Sequence, residues 1–399
     1  MILITIKKGV HLMDATLYIK MLSDENINNL KKMQYKYSVA NVAEFIELLK
    51  ESVYTKLPLS DFNGKPCVYM KHVLQFQSLP TKLLLMPQND FYSTEAMEEE
   101  VYATLAIESI DSSRESIRKI FKGYAPNGYA ENRIYSMKKG LDFISEKTNI
   151  ITEENIYLLY QTIADFLDEE NKLLPGQFYR HDSVYIVGTE IEHTGLNHSQ
   201  IPEYMEKLLE FIHKDDNIDD LYKAAMIHFY FAYLHPYFDG NGRMARLLHQ
   251  WYLIQKGYSS AMFVSFSYHI QHTRKKYYRA YKLIEDNAKI SGVMDITPFL
   301  IYFAENIYNN IKKQGTKKID QMSIFQSALK DGKITEKEKE LWNFVLAHYG
   351  EHEFSTKQLE KDFSNAAYAT IRSFVLKFTE IGLLTSIQYS NRTKYKLLQ

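Results

Sequence analysis

Between residues 224 and 257 the chain reads as two apolar helices joined by a short glycine-bearing loop. Ala224-Ala225-Met226-Ile227-His228-Phe229-Tyr230-Phe231-Ala232-Tyr233-Leu234 is too long and too continuously apolar for an ordinary strand, so its pattern predicts a buried helix. Pro236 should end it. Arg243 opens a second helical pattern, Met244 through Lys256, with Gly257 as its C-cap. The Gly240-Asn241-Gly242 turn is therefore delivered to a helix N-terminus, and the predicted fold class is mainly α.

A helix N-terminus gathers unpaired N–H groups and the positive end of the helix dipole, and glycines let a ligand approach the backbone. An anion is expected there. Arg243 and Arg246, three apart, share roughly one helix face and add fixed charge suited to several phosphate oxygens, so a polyphosphate fits better than one carboxylate. Asp239 would repel phosphate unless a divalent cation lay between them, which points to Mg²⁺ held by one carboxylate plus substrate phosphates. His235 can point into the same crevice and can exchange a proton near neutral pH, so it is the candidate general base.

The stretch His235-Pro236-Tyr237-Phe238-Asp239-Gly240-Asn241-Gly242-Arg243-Met244-Ala245-Arg246 resembles the Fic family signature, H-x-F-x-[D/E]-G-N-G-R-x-x-R, with Tyr237 in place of Phe. That substitution keeps the ring and adds a hydroxyl that needs a partner. The resemblance implies transfer of AMP from ATP, with Mg²⁺, to a Ser, Thr or Tyr hydroxyl of a protein target. His235 would take the proton and Asp239 would hold the metal. Gly240, Asn241 and Gly242 would cradle phosphates, and Arg243 and Arg246 would neutralise them. Relatives with this signature also move UMP, phosphocholine or a phosphate, and removal of AMP from a target is a further reading. A transcriptional regulator with a Fic sensor core is the reading from another class.

With 399 residues the chain can hold one to three domains. A formal net charge of −1 supplies no global field toward nucleic acid or an anionic membrane. Cys67 stands alone and cannot form an intrachain disulfide, which fits a reducing compartment and makes the cytoplasm the expectation. There is no run of about 18 apolar residues to span a bilayer, and Met1-Ile2-Leu3-Ile4-Thr5-Ile6 is too short for a signal-peptide core. No membrane contact is expected, and a homodimer remains open.

Residues 1–94 read as an α+β extension, with helices over Asp24–Met33 and Asn41–Glu51, strands at Cys67-Val68-Tyr69-Met70 and Leu83-Leu84-Leu85-Met86, and turn chemistry at Asp61–Pro66. Residues 95–110 form a helical pattern with acids in its first turn. Within it, Thr104-Leu105-Ala106-Ile107-Glu108-Ser109 resembles the inhibitory motif of regulated Fic proteins, [S/T]-x-x-x-E-[G/N], departing at Ser109. The resemblance implies that Glu108 pairs with Arg246 and takes the place of the nucleotide γ-phosphate; such a pair can be bidentate.

Helices are predicted over Asn132–Ile144, Thr152–Leu167, Pro202–His213 and Tyr268–Asn287. The β-rich run from Pro175 to Gly188 resembles the Fic flap, a hairpin that holds the target by strand addition, with Val184, Tyr185 and Ile186 lining the slot. His181, His193 and His198 match no common zinc spacing. Tyr277 and Tyr278 resemble paired tyrosines near the nucleotide base, although aromatics at helical spacing also pack as core. The Fic domain is expected over 95–315, its last helix opened by Asp295 and Pro298 and followed by a basic break at Lys312–Lys318. Residues 320–399 read as three helices and a hairpin, resembling a winged helix-turn-helix that contacts DNA or protein.

Overall fold

The computed structural model describes residues 13–74, 81, 84–85, 93–164, 172–187, 192–311, 324–325, 327–350, 352–389 and 392–398. They fall into two compact, mainly helical units, Met1–Asn310 and Ile311–Gln399. The first opens with α1 (Ala15–Leu22), α2 (Leu30–Tyr37) and α3 (Val39–Ser52), each started by a side chain, Asp14, Asn29 or Ser38, that accepts first-turn N–H groups. The expected helix from Asp24 to Met33 does not form. The Asp24 carboxylate instead accepts the Asn26 N–H and the Tyr37 hydroxyl, which turns the chain, and the helix begins only after Asn29.

β1 (Tyr54–Ser60) and β2 (Pro66–Met70) form an antiparallel hairpin whose turn is closed by Asp61, accepting from the Asn63 and Lys65 N–H groups. β1 was not anticipated, although buried Leu57 and Leu59 alternate with exposed Lys56 and Pro58. It is an edge strand, where proline is tolerated. Of the strand expected at Leu83–Met86, only Leu84 and Leu85 lie among the described residues, and they are helical.

The body continues through α4 (Ser93–Ile107), α5 (Arg114–Phe121), α6 (Gly128–Ser145) and α7 (Glu153–Ala164). Residues 165–167, expected to extend the last of these, lie outside the described residues. A short hairpin follows, β3 (Tyr185–Val187) with β4 (Glu192–Thr194), then α8 (Ile201–His213), α9 (Asp220–Leu234) and α10 (Asn241–Gln255). Almost every residue of α9 and α10 is buried, so this pair is the centre of the core, as its continuous apolar character requires. The single helix expected over Tyr268–Asn287 is two, α11 (Phe266–His272) and α12 (Arg274–Ser291). Thr273 breaks it, its hydroxyl turning back to the His269 carbonyl and meeting Tyr302.

β5 (Met294–Asp295) pairs in parallel with β2, through Cys67↔Met294 and Val68↔Asp295. The segment expected as a separate extension thus contributes two of three strands to a sheet completed more than two hundred residues later. α13 (Thr297–Phe303) follows with Pro298 in its first turn, and the Asp295 carboxylate accepts the Thr297 N–H. The helix then widens into a π-helical turn, Ala304–Tyr308.

The second unit holds α14 (Glu336–His348), α15 (Thr356–Phe363), α16 (Tyr368–Glu380) and the hairpin β6 (Leu384–Tyr389) with β7 (Arg392–Leu397). A Thr335/Glu338 capping box starts α14. Leu341, Trp342, Phe354, Ile371, Phe374 and Phe378 belong to its own apolar core. The basic break at 312–318 and the turn residues Ser390 and Asn391 lie outside the described residues. No helix among the described residues is long and apolar enough to cross a membrane.

Candidate active site

The loop between α9 and α10 is fixed by its own side chains together with residues brought to it from elsewhere in the chain. His235 caps α9 in the left-handed region, φ 52° and ψ 59°, with its N–H on the Phe231 carbonyl. The following Pro236 disfavours continued helix at this residue, and a left-handed non-glycine residue persists only where its surroundings enforce it. Tyr237 is buried and stacks on Tyr160, ring centroids 3.6 Å apart and nearly parallel. Its hydroxyl, the atom that distinguishes it from Phe, finds no hydrogen-bond partner among the described residues.

The Asn241 side chain has a task of its own beside the phosphate cradle expected of this turn's backbone. Its buried amide bonds both ends of Tyr237: Oδ1 accepts the Tyr237 N–H at 2.9 Å and Nδ2 donates to the Tyr237 carbonyl at 2.7 Å. The side chain is used up in holding the loop. The backbone remains available, because the first intrahelical bond of α10 comes from Met244 to Gly240. Among the described residues the N–H groups of Asn241, Gly242 and Arg243 have no acceptor, as the first turn of a helix requires.

The charges around this turn are already paired. Asp239, its side chain 45% exposed, meets Nη2 of buried Arg243 at 3.0 Å and accepts the Gly240 N–H. Arg243 also donates to the Ile163 carbonyl, while its buried Nε has no partner among the described residues. Arg246 is buried too, with Nε on the Thr104 hydroxyl at 2.7 Å, Nη2 on the Thr104 carbonyl at 3.3 Å and the same Nη2 on Glu108 Oε1 at 2.6 Å. Burial works against the Arg246 charge, and Glu108, Tyr277 and Glu100 together more than offset it, raising its pKa. The expected Arg246–Glu108 pair is present with one nitrogen and one oxygen, the fork geometry being shared with Thr104.

Glu108 also lies directly over the helix N-terminus. A methyl group added at Gly242 would stand 2.5 Å from its Oε1, so the absence of a side chain there is what lets the carboxylate in. The end of α4 shows why Ser109 can stand where related motifs have Gly or Asn. Ile110 N–H bonds the Leu105 carbonyl, Ser109 N–H bonds Ala106, and Ser109 is left-handed at φ 58°. This is a Schellman ending with Glu108 at the C-cap and Ser109 at the position that favours Gly or Asn. The cap aims Glu108 off the end of its helix.

Glu100, which sequence reasoning missed, holds the same helix from behind. Fully buried, it accepts the Ser265 hydroxyl at 3.0 Å, the Ser267 N–H at 2.8 Å and the Ser267 hydroxyl. Arg180 was missed as well; it bonds the His235 carbonyl. Neither sits in a local pattern that could have announced it.

The paired tyrosines separate. Tyr277 is buried among Phe299, Tyr281 and Tyr302 with its hydroxyl on His228, so its ring belongs to the core and not to a base-stacking surface. Tyr278 is 40% exposed with Arg274 over its ring. Two other histidines near the motif are excluded as bases: burial pushes His249 down to about 3 and His228 well below its usual range. Of the expected flap segment, Pro175 to Gly188, only Tyr185–Val187 is strand and 175–184 is turn and loop; the partner strand β4 lies beyond the segment, with Val184 accepting the Gly195 N–H at the hairpin base, and residues 188–191 lie outside the described residues. Among the described residues no cluster of three or more His, Cys, Asp or Glu could hold a metal. Asp239 offers one partly exposed carboxylate at this turn, a donor that would fit a cation carried mainly by a ligand's own phosphates.

Residues 150–253, which contain this loop and the helices on both sides of it, match the Fic/DOC family. The chain thus carries a Fic-type segment across this loop. It is 24% identical over 251 residues to protein adenylyltransferase fic-1 of Caenorhabditis elegans, a match covering 60% of this chain and 45% of that protein. It is 24% identical over 220 residues to protein adenylyltransferase Fic of Drosophila ananassae, covering 53% and 40%. The chain thus spans less than half the length of these relatives. Among solved structures, a Fic family protein from Desulfovibrio desulfuricans G20 superposes with a TM-score of 0.49 at 18% identity, covering 76% of this chain and 86% of that one. Fic-1 from C. elegans gives 0.47 at 20% identity with the same coverage.

Proposed function

We propose that the protein transfers AMP from ATP to a hydroxyl side chain of a protein target, and that Glu108 holds it in an inhibited state. One observation carries this reading: an anion site built from the N-terminus of α10 and Arg246 is filled by the chain's own carboxylate. In transfer, the target oxygen would bond to the α-phosphorus while the bond to pyrophosphate breaks. His235 would accept the hydroxyl proton, and pyrophosphate would leave against the N–H groups of Gly242 and Arg243 and the two guanidinium groups. A bound Mg²⁺ would screen Asp239 from the phosphates. Because Glu108 and a nucleotide phosphate need the same donors, the inhibited state would have to open, or the nucleotide bind in an unproductive pose.

Incubation with α-labelled ATP and Mg²⁺ tests the assignment of the base. His235→Ala in a Glu108→Gly background is expected to lower labelling by about a hundredfold or more while nucleotide affinity stays nearly constant. Equal labelling would remove His235 from its role. Competition by UTP and other donors, read by product mass, separates AMP transfer from transfer of UMP, phosphocholine or phosphate.

We read the second unit as a winged helix-turn-helix with a DNA-contacting face. Arg392, Lys394 and Lys396 share one face of β7, opposite Tyr389, Ile387 and Thr385 of β6. Glu353 pairs with Lys394 at 3.4 Å and tempers that charge. Binding to the promoter of its own gene that weakens steeply with salt supports DNA contact, and its absence leaves protein contact as the role of this unit.

A further inference from the structure

Arg180 stands outside the motif, ahead of the β3–β4 hairpin, and its side chain joins both. It is 2% exposed. Nε donates to the His235 carbonyl at 2.8 Å, Nη1 to the Asp182 carbonyl at 2.6 Å and Nη2 to the Leu196 carbonyl, while its own N–H donates to the Pro236 carbonyl at 3.0 Å. Two consecutive carbonyls of the catalytic loop and one carbonyl on each side of the hairpin base are thus held by one residue. All of these acceptors are main-chain carbonyls. Burial therefore lowers the guanidinium pKa from its usual value, with only the nearby Asp182 acting against this.

Burying a cation with no partnering carboxylate is unfavourable, and an apolar side chain would fill the space with less penalty. What a guanidinium adds is a rigid plane of donors that fixes three acceptors at set separations. One of the three is the His235 carbonyl at the end of α9, on a residue whose left-handed backbone sets where the imidazole points. The others bracket the hairpin on which a target segment would lie. Gly195 confirms how closely the parts are fitted: a methyl group there would stand 3.0 Å from Arg180 Nη2 and 2.7 Å from Val184 Cγ2.

We propose that Arg180 is a positioning residue that ties the target-binding hairpin to His235, so that a hydroxyl held on the hairpin meets the imidazole at a fixed distance. The proposal rests on the AMP-transfer reading, and its test separates the two. In a Glu108→Gly parent, Arg180→Lys keeps the charge and loses the fork. Transfer to a protein target at saturating nucleotide is expected to fall about a hundredfold, as for a reacting group displaced by about 1 Å, while the dissociation constant for Mg²⁺-ATP stays within about twofold. Hydrogen exchange should show residues 182–187, 192–196 and 235–241 losing protection together, with α4 unchanged. Gly195→Ala, which pushes on the same guanidinium from the hairpin side, should reproduce both effects and decides the matter if Arg180→Lys does not fold. Loss of rate in step with nucleotide affinity, or loosening of only one of the two segments, overturns the coupling. A parent that transfers no AMP sinks the functional reading, and the exchange experiment still decides whether hairpin and loop are joined.

Discussion

Glu100 in helix α4 and Glu108 at its C-cap lie about two turns apart, and their surroundings are opposite in kind. Glu100, in the helix interior, is enclosed and meets only neutral donors, the hydroxyls of Ser265 and Ser267 and one N–H. Burial raises its pKa above the ordinary carboxylate value, and the serines offset this only in part. Glu108, at the helix end, keeps 29% of its side chain exposed and meets a guanidinium. On the proposed function the first contact stays and the second is exchanged for a nucleotide phosphate. Neutral donors in a closed pocket have no competing ligand, whereas Arg246 and a helix N-terminus bind any anion that reaches them.

The largest test of this contrast is at the exchangeable end. Glu108→Gly should tighten Mg²⁺-ATP binding by about ten- to a hundredfold in calorimetry, the usual scale of coupling between two competing groups. No change would mean that Glu108 does not compete with nucleotide. At the fixed end, Glu100→Ala should lower stability by about 3 kcal/mol, because it opens a cavity and leaves buried donors unpaired; near-unchanged denaturation would show that Glu100 is no anchor. Glu100→Gln should remove a pH dependence. With the folded pKa raised above 4.5, wild-type Glu100 favours folding most below that value, and its contribution is lost as pH rises through the raised value. The variant should therefore gain on wild type across that window in urea titrations. Thr104→Val, which takes one acceptor from Arg246 and leaves Glu108 in place, should tighten nucleotide binding by only about three- to tenfold.

The parts of the site that could be read from the chain were those whose partners are close in sequence. The loop from His235 to Arg246 brings an imidazole, a carboxylate, glycines and arginines together within four turns of chain, and its placement between two apolar helices follows from pattern alone. The role of Asn241 could not be read the same way, because a side chain in a phosphate loop and a side chain bracing that loop look identical in sequence. Glu100 and Arg180 act on residues 165 and 55 positions away, and no local spacing records such contacts. Tyr277 shows the converse: helical spacing was compatible with either a ligand or the core, and packing against Phe299 decided it. Mainly helical architecture was legible from periodicity, while β1 and the two-residue β5 were not, since short edge pieces carry too few alternations to stand out.

The recognisable family segment starts at residue 150, but the pairing of β2 with β5 makes the cooperative unit larger. Ile296 donates its N–H to Val68, Thr297 accepts the Met70 N–H, and Asn287 grips the backbone of both Asn28 and Leu30. A shortened protein that begins at residue 150 would bare the flank of Met294–Asp295 and strip the underside of α12. It should therefore be recovered as sticky, partly melted material, and an inactive fragment of that kind would say nothing against the chemistry of His235.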